Sequence, residues 1–205
     1  MMITLTGSML TIDDVVSCAR EFEPVKLSVE ANEKMMKSQE LVMDLLHSHK
    51  TVYGVNTGFG SLSTEKISED DVGSLQVNLL RSHSCGVGEQ LPVDVIRAMM
   101  LLRANSLAKG YSGIRPCVVQ LFIDMLNKHI HPVVPRKGSI GASGDLVPLA
   151  HIGLCLIGEG TVVYKEVEMS SKEAFEKEGL QPVMLQAKEG LALINGTQLM
   201  SALGC

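Results

Sequence analysis

Apolar residues recur at helical spacing along most of the chain. Between residues 28 and 49 they fall three or four positions apart with Glu and Lys between them, which predicts a long amphipathic helix. Thr11, Ser68 and Ser170 each precede a similar pattern and have an acidic residue three positions later. This combination is typical of a helix N-terminus, so three more helices are predicted to begin at these residues.

Three prolines mark further helix starts. Pro92 stands at a predicted first helical position, and Gly110 follows the end of the apolar pattern that runs from about 93 to 109. Pro116 opens a helix that ends near Lys128, and Pro148 lies where another can begin. The chain is therefore predicted to be mainly helical.

The helical period is interrupted in a few places. Residues 51–64 are rich in glycine and predict a loop, and residues 131–135 form a stiff extended connector between prolines. Residues 161–164 and 166–169 alternate between apolar and polar side chains, which predicts a small surface hairpin. From Leu191 to Leu203 the helical period returns, and Asn195-Gly196 predicts a turn just before the helix that runs toward residue 205. The pattern thus indicates a mainly α fold with one β-hairpin.

Composition agrees with packed helices. The 205 residues are 45% hydrophobic, enough for a large buried core in one or two domains. Aromatic residues make up only 3% while methionine occurs 12 times, so the core is expected to be aliphatic and thioether in character.

Charge and local composition disfavour several classes of partner. A formal charge of -5 without any basic run argues against nucleic acid. The longest apolar stretch, 146–158, is shorter than the roughly 20 residues that span a bilayer, so no membrane role is expected. The N-terminus lacks a secretory signal pattern, which favours the cytoplasm. The five cysteines contain no Cys-x-x-Cys pair and predict reduced thiols and no bound metal.

The chemistry is concentrated in the glycine-rich stretch from Gly138 to Asp145. At its centre, Ala142-Ser143-Gly144 could cyclise if the Gly144 nitrogen attacked the Ala142 carbonyl carbon with loss of water. A second water lost from the Ser143 side chain would leave an exocyclic methylidene. Glycine at 144 leaves the attacking nitrogen uncrowded, and the other glycines of the stretch let the backbone fold back on itself.

Four segments carry a resemblance to a known family. Gly-Ser-Ile-Gly-Ala-Ser-Gly-Asp-Leu-Val-Pro-Leu-Ala at 138–150 is similar to the signature of the aromatic amino acid ammonia-lyases. The segments at 53–60, 82–88 and 188–198 resemble the same family, in the family's order. The resemblance implies that Ala142, Ser143 and Gly144 form the electrophile 4-methylideneimidazole-5-one (MIO), with no external cofactor. It also implies the N-terminal part of an L-aspartase/fumarase-like helical fold.

The resemblance assigns roles to particular residues. Tyr53 is the candidate general base, since a phenol can act as a base when its neighbours favour the phenolate. Asn195 would hydrogen-bond the ring carbonyl or the substrate amino group. Asp145 could assist the dehydration of Ser143 or, equally, cap the helix around Pro148. Without the resemblance, Tyr53 would be interpreted as a buried ring with a bonded hydroxyl.

Ser82 and His83 bear on the substrate. In this family the corresponding pair selects the aromatic side chain, and Ser-His resembles the histidine-specific members. An imidazole ring can donate from one nitrogen and accept at the other, which suits recognition of a second imidazole. Without the resemblance, His83 would be an ordinary polar residue at a helix end. The remaining histidines receive no role, and His151, which lies in an apolar run, is expected to be a core histidine with its hydrogen bonds satisfied.

These inferences lead to one preferred function and several alternatives. We expect elimination of ammonia from L-histidine to give trans-urocanate. Phenylalanine or tyrosine specificity, an aminomutase, and an inactive helical domain that acts only in assembly remain open. A phosphate-binding loop or a serine hydrolase is disfavoured, because neither sequence pattern surrounds residue 143. Family subunits are tetrameric and continue into a bundle of long helices, so residues 1–205 are expected to be the N-terminal, MIO-bearing region.

Overall fold

The computed structural model describes residues 2–48, 51–60, 63–65, 67–140 and 144–205. Most of these residues are helical, which confirms the mainly α prediction. The helices are α1 (Ile12–Arg20), α2 (Val29–His47), α3 (Glu69–His83), α4 (Val93–Leu107), α5 (Pro116–Asn127), α6 (Leu146–Leu156), α7 (Ser171–Glu178), α8 (Glu189–Ile194) and α9 (Gln198–Gly204).

The predicted helix starts are largely confirmed. Thr11 caps α1 in a reciprocal capping box with Asp14, and the Ser68 and Ser170 hydroxyls cap α3 and α7. Pro116 occupies the first turn of α5. Pro92 lies one residue earlier than predicted, because it takes the N-cap position and α4 begins at Val93.

Helices α4 and α5 form the centre of the core. Helix α4 is buried on nearly every side and packs against α1, α5 and α9. Met99, Met100 and Met125 are fully buried among aliphatic side chains, as the composition predicted. The same helix carries two buried cations, Arg97 and Arg103. A charge in such an apolar helix needs polar partners, which for Arg103 are close to the candidate site.

The strands are short and lie at the periphery. They are β1 (Ile3–Leu5), β2 (Val25–Leu27), β3 (Val87–Gln90), β4 (His131–Pro132), β5 (Pro135–Lys137), β6 (Thr161–Tyr164) and β7 (Val167–Ser170). The predicted hairpin is confirmed as β6 and β7, and β4 adds to its other edge. The parallel pair β1 and β2 and the antiparallel pair β3 and β5 were not predicted.

The apolar period from Leu191 to Leu203 is not one continuous helix. It is divided into α8 and α9 by a turn at residues 195–197. Helix α8 is held at its first residue by Glu189, which is 1% exposed and accepts two side-chain hydrogen bonds of 2.8 Å from Arg115. The Gln186 N–H donates to the same carboxylate at 2.7 Å.

We expect Glu189→Ala to lower the free energy of unfolding by about 3–5 kcal/mol, because it leaves a half-buried guanidinium without its partner. Urea denaturation followed by circular dichroism measures the change. The control is Glu173→Ala, which breaks an exposed i,i+4 pair with Lys177 and should cost only about 0.3–0.5 kcal/mol. Equal losses in the two variants would contradict an anchoring role for Glu189.

Candidate functional site

Gly144, near the end of the glycine-rich loop, lies beside the turn between α8 and α9. Gly144 has φ +95°, and a Cβ at this position would lie 3.0 Å from the Gly196 carbonyl oxygen and 3.2 Å from Leu146 Cδ1. Any side chain would be strained here, so the position requires glycine. Ala142 and Ser143, the other two residues of the predicted electrophile, lie outside the described residues.

Asp145 joins the loop to α9. Its carboxylate is completely buried and accepts from the Ser139 hydroxyl at 2.5 Å and from the Met200 N–H at 3.0 Å. Its own N–H donates to the Gly196 carbonyl at 2.7 Å. The alternative that its side chain caps α6 is wrong: Asp145 occupies the N-cap position but makes no cap bond there. The carboxylate instead satisfies an N–H in the first turn of α9.

Asn195 lies at the C-terminal end of α8, where its N–H donates to the Leu191 carbonyl at 3.1 Å. The residue is exposed, so its carboxamide is open to a ligand. Because Gly196 follows directly and contacts Gly144, the turn places Asn195 next to the end of the glycine-rich loop.

The loop that carries Tyr53 packs against the same helix. A Cβ on Gly54 would lie 2.7 Å from Leu191 Cδ2, so the backbone approaches α8 closely. Asn56 and Thr57 are buried and bond the loop's own N–H groups, at 2.8 Å to Val52 and 3.2 Å to Gly54. The predicted loop is confirmed in its described residues, and its side-chain bonds hold its backbone in place.

The Tyr53 side chain is open to solvent. It is 57% exposed, and its ring contacts Phe59 edge-to-face with centroids 6.1 Å apart. The alternative of a buried ring is therefore wrong. An exposed phenol on a fixed loop is accessible to a substrate.

Ser82 and His83 occupy the last turn of α3. The Ser82 hydroxyl donates to the Leu79 carbonyl at 3.0 Å, and His83 Nδ1 lies 2.9 Å from the same oxygen. A carbonyl can only accept, so Nδ1 carries the hydrogen. In the neutral ring the other nitrogen, Nε2, is then a hydrogen-bond acceptor.

His151 connects the His83 segment to the helix that follows the glycine-rich loop. The Gly86 N–H donates to His151 Nε2 at 3.1 Å, and burial lowers the pKa of His151, which favours this neutral acceptor form. Strand β5 pairs with β3 and runs directly into Gly138, where a Cβ would lie 3.5 Å from Gly86 Cα. The segment that follows His83 and the start of the glycine-rich loop are therefore neighbours.

Helix α8 and the turn after it connect the four segments that resemble the family, at 53–60, 82–88, 138–150 and 188–198. The Tyr53 loop and the glycine-rich loop meet α8 and the turn after it, and α3 reaches α8 through a 3.2 Å hydrogen bond from the Leu191 N–H to Gln76. Within the described ranges, no hydrogen bond joins the side chains of Tyr53, His83 and Asn195 directly. Tyr53 and Asn195 are exposed, and His83 is partly buried.

Three supporting residues were missed by the sequence analysis: Gln76, Arg103 and His151. Arg103 had a visible signal, since a charged residue in the middle of an apolar helix must be paired or functional. His151 was expected to be a satisfied core histidine, and the structure confirms the hydrogen bond while showing the ring to be only partly buried. Gln76 had no signal, because it is one polar residue among many on α3.

The described residues contain no helix with the length and apolar character needed to cross a membrane. Among the same residues, no group of three His, Cys, Asp or Glu side chains is placed to hold a metal ion. The five cysteines are free thiols.

Known proteins resemble the chain over nearly its whole length. It is 52% identical to the histidine ammonia-lyase of Treponema denticola over 202 residues, which is 98% of this chain and 40% of that protein. It is also 52% identical to the histidine ammonia-lyase of Geobacillus thermodenitrificans, with 99% and 40% covered. The chain therefore corresponds to the N-terminal 40% of these relatives.

Solved structures share the fold. The ergothioneine-degrading enzyme ergothionase of Treponema denticola superposes with a TM-score of 0.95 at 37% identity, covering 99% of this chain and 41% of that one. Histidine ammonia-lyase from Trypanosoma cruzi gives a TM-score of 0.92 at 38% identity, covering 100% and 39%. The family model for aromatic amino acid lyases matches residues 10–205. The chain belongs to the aromatic amino acid lyase family.

Proposed function

We propose that this chain forms the electrophile-bearing region of a histidine ammonia-lyase, which eliminates ammonia from L-histidine to give trans-urocanate. The proposal rests on the position of Gly144 beside the Gly196 carbonyl, in a loop whose sequence resembles the MIO signature. The 52% identity to proteins named histidine ammonia-lyase supports the choice of substrate.

The described ends of the loop fit an MIO group formed from Ala142, Ser143 and Gly144. Ring closure joins the Gly144 nitrogen to the Ala142 carbonyl carbon and releases one water, and dehydration of Ser143 releases a second. Gly144 leaves its nitrogen free of any Cβ, and its positive φ turns the chain back at the closing position. The finished group supplies an electrophile that makes the substrate amine a better leaving group.

The chain's own side chains would bind the substrate and move its proton. Tyr53, exposed on its fixed loop, is the base that takes the β-proton. The Asn195 carboxamide, next to Gly144, would hold the substrate amino group. His83 Nε2 would accept the N–H of the substrate imidazole, since Nδ1 is occupied by the Leu79 carbonyl.

The open site supports an assembly of several subunits. Elimination within a closed pocket protects the reacting groups from water, whereas Tyr53 is 57% exposed in this chain. We infer that further residues of the full-length protein and of other copies close the site, as in a homotetramer of the family type. Action in the cytoplasm is part of the same proposal.

Substrate choice can be tested in a form extended to the full length of the relatives. Ser82→Phe combined with His83→Leu should shift preference from L-histidine toward L-phenylalanine, because the imidazole loses its acceptor and an apolar ring gains contact. A buried polar mismatch costs about 1–3 kcal/mol, so the ratio of kcat/KM values should change roughly tenfold to a hundredfold.

The matched control is Ser74→Ala, which changes an exposed serine earlier on α3, leaves Ser82 and His83 in place and should retain histidine preference. L-tyrosine and ergothioneine are assayed in parallel, with products identified by mass spectrometry so that an aminomutase is also detected. If the double variant keeps the parent's preference for histidine, residues 82 and 83 do not recognise the side chain. A folded, full-length parent that turns over none of these substrates would favour the alternative of an assembly domain.

A further inference from the structure

Arg103 is a buried cation without a carboxylate partner. The residue is 4% exposed, and none of the ion pairs in the described part of the chain includes it. Burial lowers the pKa of Arg103 to about 10, which still leaves the guanidinium charged at neutral pH. Burying a charge without a counter-charge costs free energy, so the hydrogen-bond acceptors around Arg103 must stabilise its guanidinium.

Those partners lie on either side of the turn at residues 195–197, one in α8 and one in α9. Arg103 Nη2 donates to the Ala192 carbonyl, and Nη1 donates to Gln198 Oε1 at 3.3 Å. The Ala192 carbonyl lies in the last turn of α8, where helix carbonyls lack intrahelical partners and the dipole favours a cation. Arg103 therefore connects the end of α8 to the first residue of α9.

The turn is shaped around the guanidinium. A Cβ on Gly196 would overlap Arg103 Nη1 and Gln198 Oε1, so any larger residue here would displace the ends of these two side chains. The Gly196 carbonyl bonds the glycine-rich loop. There it accepts the Asp145 N–H at 2.7 Å and contacts Gly144.

Asp145 connects the glycine-rich loop back to α9. Its carboxylate accepts the Met200 N–H at 3.0 Å and the Ser139 hydroxyl at 2.5 Å, so one buried group bonds both α9 and the start of the loop. Arg103 thus bonds both helices that flank the turn. The turn bonds Asp145 through the Gly196 carbonyl, and Asp145 bonds α9. Moving the turn would therefore move the backbone that lies beside Gly144 and accepts the Asp145 N–H.

We propose that Arg103 is a positioning residue for the MIO-forming loop: it fixes the turn at residues 195–197, which in turn fixes Gly144 and Asp145 for cyclisation. The proposal rests on the proposed function in so far as it assumes that the loop cyclises. Arg103 does not touch the reacting atoms and acts only through the turn.

The structure offers a matched control on the same helix. Arg97 is also buried, and it donates to the Cys18 carbonyl in α1 and the Leu126 carbonyl in α5, both at 2.9 Å, so its partners belong to neither α8 nor α9. Arg97→Lys and Arg103→Lys are therefore comparable in burial and charge. In each variant a single ammonium cannot reproduce the two hydrogen bonds of the guanidinium. Only Arg103→Lys is expected to disturb the turn, because only the Arg103 bonds reach the residues beside it. Gln198→Ala is a milder variant that removes one acceptor.

Two readouts are needed. Hydrogen exchange by NMR on the 205-residue chain reports the Asp145 and Met200 amides, whose exchange should accelerate at least roughly tenfold in Arg103→Lys and less in Gln198→Ala, while Arg97→Lys leaves it unchanged. Intact mass of the full-length form reports cyclisation, and Arg103→Lys should lower the fraction that has lost two waters. Amides elsewhere in the core serve to show that each variant is folded.

The outcomes separate the inference from the proposed function. Unchanged exchange at Asp145 and Met200 in folded Arg103→Lys and Gln198→Ala overturns the positioning role, whatever the mass shows. An equal effect from Arg97→Lys overturns it too, since that would be a general loss of packing. A parent protein without the two-water deficit refutes the proposed electrophile, while accelerated exchange would still establish that Arg103 fixes the turn.

Discussion

Ser143→Ala is expected to abolish the loss of two water molecules from the full-length protein and, with it, catalysis. The hydroxyl of Ser143 is the leaving group of the second dehydration, and alanine has none to lose. Turnover of L-histidine should fall on the order of 10³-fold or more, as for other residues that supply the covalent centre of an enzyme. Intact mass spectrometry and the formation of urocanate measure the two effects.

The control for this variant is Ser74→Ala, a change at an exposed serine of α3. It should keep both the mass deficit and the activity of the parent. For each protein, the measured mass is compared with the mass calculated from its sequence, and a deficit of two water molecules indicates cyclisation. A full-length parent whose mass equals the value calculated from its sequence has not cyclised, and the electrophile assigned to Ala142, Ser143 and Gly144 would then be wrong.

Local sequence signals predicted the helices well because they act locally. A hydroxyl at the N-cap satisfies N–H groups of its own helix, so Thr11, Ser68 and Ser170 could be identified without any tertiary information. The hairpin of β6 and β7 was equally local, since its two alternating strands are adjacent in sequence.

The elements that were missed depend on distant partners. Strands β1 and β2 have three residues each, too few to show alternation, and they pair in parallel across α1. The turn at residues 195–197 could be predicted from Asn195-Gly196, but the residues that hold it could not. It is held by Arg103 and Asp145, which are far away in sequence.

The candidate site follows the same division. The motif residues could be located from sequence because the family resemblance gives their positions, and the structure confirms that Gly144 requires glycine. The buried role of Asp145 could not be predicted, because its acceptor bonds come from Ser139 and from α9. Nor could the exposure of Tyr53, which depends on how its loop packs against Leu191.

That exposure makes Tyr53→Phe informative, because the substitution removes only a hydroxyl that no described residue hydrogen-bonds. The ring and its edge-to-face contact with Phe59 remain. The full-length variant should therefore fold, cyclise its loop and show the two-water deficit, while turnover of L-histidine falls by roughly a hundredfold or more, as is typical for loss of a general base. Electrophile and base would then be separable in one protein.

Tyr111→Phe is the matched control, since this tyrosine is 85% exposed and lies in a shallow pocket with Lys34 and Lys109, away from the candidate site. It should keep the parent's rate and mass deficit. If Tyr53→Phe also turned over L-histidine at nearly the parent's rate, the phenol would not be the base. The proton would then have to be taken by a group outside this chain, and the Tyr53 loop would contribute only its packing against α8 and the edge of its ring to the site.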